Sequence, residues 1–300
     1  MILTGILLSF AAGLLWNISG IVNSTCARKK FDIYSYLLTN VIFSAIFTGM
    51  IAAATGNVIF RRESLLFIAV VMLAGIFNTS GALLMQRALQ LGHHGIIFLI
   101  AQSAPVVPFI AGMLFLGDKP TVQKIGGVML ILLGMFLAAL PELCVRRRKD
   151  GIPQKKGLLH ALFAFGSLGI SHTLLALPSL MTLPPGMGKY RTFFLYCGCS
   201  GLILTVIGVR RRTQKITFDR RLLAIGIIAA MINVCSMGIF FKSMDLLASV
   251  KAVGLGSPLA TSASLVGFTL YSWFYLHEKR HPAAIGGLVC ICVGAVVASM

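Results

Sequence analysis

Ten runs of about twenty apolar residues fill most of this chain of 300 residues, and each is long enough to cross a bilayer as a helix. They lie at roughly 3–25, 33–55, 65–91, 94–117, 121–142, 157–180, 190–209, 221–246, 252–276 and 281–299. Hydrophobic residues make up 57% of the chain and charged ones 11%, which excludes a water-soluble globule of this size. Backbone amides and carbonyls find no water in lipid, so the runs must be helices. The alternation of polar and apolar residues that marks a membrane β-barrel is missing. The first run has no basic leader, so the sequence predicts a retained helix rather than a signal peptide. The expected class is an all-α membrane protein with ten transmembrane helices.

A repeated phrase organises the runs. Asp118-Lys119 is followed by Ile125-Gly126-Gly127 and Gly134, and at a constant offset of 160 residues Glu278-Lys279 is followed by Ile285-Gly286-Gly287 and Gly294. A weaker echo at an offset of 152 matches Gly5, Leu7, Ala12, Ile18 and Ser19 with Gly157, Leu159, Ala164, Ile170 and Ser171. The sequence thus predicts a first five-helix repeat over 1–142, a basic linker over 143–156, and a second repeat over 157–300. Five helices is an odd number, so the second repeat enters from the opposite side and the two are inverted.

The net charge of +18 would point to nucleic acid in a soluble protein, but here the cations cluster in short loops. Loops after odd-numbered helices hold 17 Lys and Arg, from Arg28, Lys29 and Lys30 to Lys279 and Arg280. Loops after even-numbered helices hold Arg61, Arg62, Lys119, Lys124, Lys189 and Arg191. Positive loops stay in the cytoplasm, so both termini are predicted outside it, in the cell membrane (the inner one in a Gram-negative cell). Nucleic acid is not an expected partner; the bilayer and a small solute are, and a homodimer is compatible with the pattern.

The turn Gly117-Asp118-Lys119-Pro120-Thr121 and the Ile-Gly-Gly…Gly helix after it resemble the drug/metabolite transporter superfamily, in particular its EamA-type members. Leu15-Trp16-Asn17 resembles that family's Leu-Trp-Gly element in the first helix, and Ala88-Leu89-Gln90-Leu91-Gly92 resembles the element ending its third. The likeness covers about 4–140 and 157–299, with departures: Asp118 for the commoner Glu, His277 for Gly, and Asn17 for Gly. The resemblance implies a ten-helix carrier. The family is commonly described with cytoplasmic termini, opposite to the charge count, and the basic first loop and linker are closer to its sugar-carrying branches.

Polar residues inside a span are candidates for a solute pocket unless another helix satisfies them. Trp16 and Asn17 lie in the first run, Asn78 in the third, Gln102 in the fourth, His172 in the sixth and Asn233 in the eighth. These are the candidate substrate contacts, Trp16 offering a flat face and an N–H donor. Serines such as Ser171, Ser236 and Ser257 are read first as helix-to-helix bonds. Pro105 and Pro258 are candidate gating kinks, since an interior proline frees a carbonyl. Asp118 and Glu278 at the repeated turns are read as helix caps, or as gates if they bond across the halves. Arg87 and Lys242 are candidate anion contacts, with snorkelling or a local Lys242–Asp245 pair as the plainer reading.

No carboxylate lies well inside a run, which disfavours proton-coupled export of cationic drugs. Paired carboxylates, metal clusters and nucleophile–base spacings are missing too, so no enzyme, cofactor or metal is expected. The seven cysteines read as small packing residues. The leading expectation is alternating-access transport of a small polar metabolite, a sugar or related neutral solute. An amino-acid exporter, or a scaffold or sensor on the same fold, remains the alternative.

Overall fold

The computed structural model describes residues 1–28, 33–54, 64–91, 100–101, 103–119, 121–146, 154–183, 186–210, 220–275 and 281–299, and no strand occurs among them. The α-helices are α1 (Ile2–Arg28), α2 (Ile33–Ala54), α3 (Ser64–Leu91), α4 (Val106–Phe115), α5 (Val122–Arg146), α6 (Gln154–Ala176), α7 (Arg191–Arg210), α8 (Arg220–Ser249), α9 (Gly256–Phe274) and α10 (Pro282–Ser299). Six helical stretches among the described residues are long and apolar enough to cross a bilayer, from Tyr34–Ala54 to Val253–Tyr271. The surface turns apolar side chains outward, including Leu66, Met129, Phe163, Ile228 and Val296, while Ser9, Asn40, Ser44, Ser171, Ser243 and Ser262 are buried in the helix seams. That inside-out polarity suits lipid.

Small residues set how closely helices approach. α5 and α10 run antiparallel: Gly127 abuts Gly294 and Gly134 abuts Gly287, so closely that an added Cβ at either first-half glycine would lie within 2.6 Å of a backbone oxygen across the seam. These are the repeated glycines, each facing the counterpart of its own partner. Gly75 and Gly198 bring α3 against α7, and Gly13 brings α1 against the Ala260 carbonyl of α9. Serines bind neighbouring helices as the plainer reading expects: Ser171 Oγ donates to Ala74 O at 2.8 Å, Ser243 Oγ donates to Gly5 O at 2.6 Å, and Ser236 Oγ donates within its own helix.

The main pairings are α5 with α10, α3 with α6 and α7, α1 with α8 and α9, α2 with α7 and α8, and α4 with α6. Nearly every partner is in the other half of the chain. Exchanging each helix of the first half for its counterpart five places on maps this set of pairings onto itself.

Two runs differ from the continuous helices expected. Residues 103–105 form a turn, with Ser103 and Ala104 amides bonding Ile100 O and Ala101 O, and α4 begins only at Val106. Its 10 residues span about 15 Å, half a bilayer core. In the second half a short 3₁₀ turn, Val253–Leu255, precedes α9. Pro105 is therefore the N-cap of α4, and Pro108 and Pro258 each occupy the third position of a helix. Amides there have no intrahelical acceptor, so a proline forfeits no bond. Pro105 lies at a turn between helical residues 100–101 and α4, and Pro258 lies in the first turn of α9 after the 3₁₀ turn.

Candidate functional site

α1, α6 and α8 meet around Trp16. Its ring lies 4.9 Å from that of Phe240 and 6.1 Å from that of His172, centroid to centroid. Trp16 Nε1 and His172 Nδ1 are both buried and neither has a hydrogen-bond partner. An unsatisfied buried polar atom costs about 1–3 kcal/mol, so two facing one aromatic cluster require an explanation. The sequence reading named Trp16 and His172; Phe240 it missed, because a phenylalanine in an apolar run carries no signal.

The other candidates point elsewhere. Asn17, the next residue on α1, is turned against α9, where Gly267 leaves room for its amide, and its Oδ1 is also without a partner. Asn233 Nδ2 donates to Asn40 Oδ1 of α2 at 3.0 Å, so it ties α8 to α2. Asn78 is half-buried on α3. Gln102 and Glu278 lie outside the described residues.

One end of the Trp16 cluster is closed by apolar packing and by a buried cation. Phe240, Phe241, Met244, Val253, Leu175 and Met187 belong to one core with Trp16 at its border. Above it, Arg191 opens α7 and is almost wholly buried, whereas the sequence reading counted it as a loop charge. Its guanidinium donates to Asp245 Oδ1 at 3.0 Å, to Ser179 Oγ at 2.9 Å and to the Leu175 carbonyl, and lies 4.1 Å over the Phe241 ring. Asp245 thus pairs with Arg191 and not with Lys242, which is exposed on α8.

A second closure joins the halves at the repeated turn. α4 is terminated after its C-cap Leu116 by Gly117, whose φ of 74° is left-handed, and the Asp118 amide returns to Gly112 O at 3.0 Å. This directs the Asp118 side chain away from α5. Asp118 is buried and accepts from the amides of Val253 at 3.0 Å and Gly254 at 2.7 Å. The cap of α5 is supplied by Thr121 instead, whose Oγ1 accepts from the Lys124 amide at 3.2 Å. The expectation that Asp118 caps its own helix is corrected: it bonds the other half.

Arg87 is exposed near the end of α3. It lines a cleft of about 170 Å³ with Tyr34, Ser80, Leu83, Leu84, Leu202 and Val206, at the first turn of α2, the last turns of α3 and the second half of α7. Lys242 is not among the residues lining this cleft. Among the described residues no three His, Cys, Asp or Glu side chains form a group able to hold a metal.

Residues 3–140 match the profile of the EamA-like transporter family. No curated protein matches the chain. Among solved structures 22 chains match, and one crystal structure covers 99% of this chain and 98% of its own length at a TM-score of 0.74 and 16% identity. At that identity the likeness concerns the fold alone. With its membrane-length helices the chain is a multi-pass membrane protein, and its residues 3–140 are similar to the EamA-like transporter family, consistent with the drug/metabolite transporter superfamily that its repeated turns resemble.

Proposed function

We propose that the chain is a secondary carrier that moves a small, uncharged polar metabolite across the cell membrane by alternating access. The observation that carries this reading is the pair of unsatisfied polar atoms, Trp16 Nε1 and His172 Nδ1, on one aromatic cluster between the two halves. A sugar or polyol offers an apolar ring face to Trp16 and Phe240 and hydroxyls that both accept and donate. The atoms left orphaned in the closed cluster are then partnered when solute is bound. Arg191, the cation over Phe241 at the end of this cluster, is already engaged by Asp245, Ser179 and the Leu175 carbonyl, which favours a neutral solute over an ion.

The architecture we propose is ten spans in two inverted repeats, with 143–156 as the linker. The antiparallel contact of the repeated glycines and the exchangeable helix pairings support it. The loops after odd helices face the cytoplasm and the termini lie outside, on the charge asymmetry. The protein acts as a carrier rather than an enzyme, without a cofactor. An amino-acid exporter is the second reading, favoured by Arg87 beside Tyr34 and Ser80, which would suit a carboxylate.

Proteoliposomes holding the purified protein test this with labelled hexoses, polyols and amino acids. The proposal expects uptake of a hexose or polyol above empty vesicles. Amino-acid flux alone would replace it with the second reading, and no flux of any class would leave a scaffold.

A further inference from the structure

We infer that Asp118 is one half of a backbone latch that holds the two halves of the carrier shut on the side of the α4–α5 and α8–α9 turns. This rests on the alternating-access reading above. The receiving site is built for a carboxylate and for little else. Val253 and Gly254 present adjacent amides, one to each oxygen of Asp118. Gly254 has no Cβ, and one placed there would lie 2.9 Å from Asp118 Oδ2. On the opposite wall Gly112 is equally tight, since its Cβ would lie 2.6 Å from the same oxygen and 3.1 Å from Gly254 Cα. The acid is thus held between glycines of opposite halves.

The turn that offers these amides is fixed by the end of α8. Lys251, at a φ of 53°, is the left-handed residue of a Schellman cap, its amide returning to Ala248 O at 3.0 Å and the Ala252 amide to Leu247 O at 2.9 Å. Its carbonyl accepts from the Lys119 amide at 3.3 Å and from Lys124 Nζ at 3.3 Å, and Lys124 Nζ also reaches Lys119 O at 3.2 Å. Two carboxylate bonds and two bonds to one carbonyl therefore cross between the halves at a single turn. A helix cap would need none of the second group, and the cap of α5 is already occupied by Thr121. When the latch opens, Asp118 reaches water on its own turn, and the Lys251 carbonyl exchanges its two cross-half donors for water.

Spin labels on Lys119→Cys and Lys251→Cys, both exposed positions, report the closure without any solute. With the native cysteines replaced, the parent in nanodiscs should give a dominant short distance. Asp118→Ala should move most of the population to a longer distance, since losing two charge-assisted bonds shifts such a ratio by about a hundredfold. Gly254→Ala keeps the charge but blocks the approach, and should give the same shift, so a folding defect peculiar to Asp118→Ala does not decide the matter. A short distance unchanged in both folded variants overturns the latch and leaves Asp118 a fixed structural bond. A shift in distance without solute flux in the parent supports the latch and counts against the carrier reading alone.

Discussion

Arg191 and Asp245 are bound to each other yet should respond very differently to removal. The Arg191 side chain is 4% exposed and that of Asp245 is 52% exposed. Truncating Arg191 to Ala removes charge-assisted bonds to Ser179 and the Leu175 carbonyl, each worth about 1.5–3 kcal/mol in a buried setting, and a cation–π contact of about 0.5–2 kcal/mol over Phe241. The half-exposed ion pair adds at most about 1 kcal/mol, since water screens it. Allowing for partial relaxation, Arg191→Ala should cost about 3–5 kcal/mol, the range seen when one partner of a buried polar network is deleted. Asp245→Ala should cost only about 1 kcal/mol, because Arg191 keeps its other two acceptors, and the coupling in a double-mutant cycle should also be about 1 kcal/mol. Reversible unfolding by SDS, followed through the fluorescence of the two tryptophans, measures all four variants. Equal large losses for both single variants would mean that the pair is a fully buried bridge. Negligible losses for both would return Arg191 to the solvated loop charge that its place at the edge of an apolar run suggests.

Three further outcomes follow from the packing. Gly134→Ala forces a methyl into the α5–α10 seam and should cost about 1–3 kcal/mol in the same titration, whereas Gly126→Ala, where an added Cβ meets nothing within 4 Å, should cost nothing measurable. Asn233→Leu strands Asn40, whose Nδ2 already lacks a partner, and should destabilise by about 1–3 kcal/mol, while the Asn40→Leu/Asn233→Leu double variant should recover most of that loss when unfolded by SDS. A cysteine placed within 143–156 should resist an impermeant thiol reagent outside intact cells, and rapid labelling there would reverse the orientation read from the 17 basic residues of the odd loops.

The helices were legible because a span in lipid must be continuously apolar, and the close pairing of Gly127 with Gly294 was prefigured by a glycine phrase stated twice. The break before α4 was half legible: Pro105 and Pro108 announce a boundary, but a hydropathy run cannot distinguish a kink inside a helix from a helix that starts late. Asp118 was left open between a cap and a bond across the halves because its partners are backbone amides of Val253 and Gly254, and a backbone donor leaves no mark in a sequence. Spacing suggested Lys242 for Asp245, yet proximity along one helix lost to a buried guanidinium from α7 that needed an acceptor. Trp16 and His172 were visible as misfits in apolar helices; that they share Phe240 required the fold.

Substituting Trp16 tests the central claim, because Trp16→Phe keeps a smaller aromatic face against Phe240 and His172 and removes the unpartnered N–H. In proteoliposomes matched for folded protein, the initial rate of labelled hexose or polyol uptake should fall by about tenfold or more, the equivalent of one solute hydrogen bond lost in a water-poor site. Parallel SDS unfolding should show stability unchanged or raised, since the variant no longer buries an orphaned donor. Uptake at the parent rate in a stable Trp16→Phe protein would contradict the account, and would remove the α1–α6–α8 junction as the place where solute is bound.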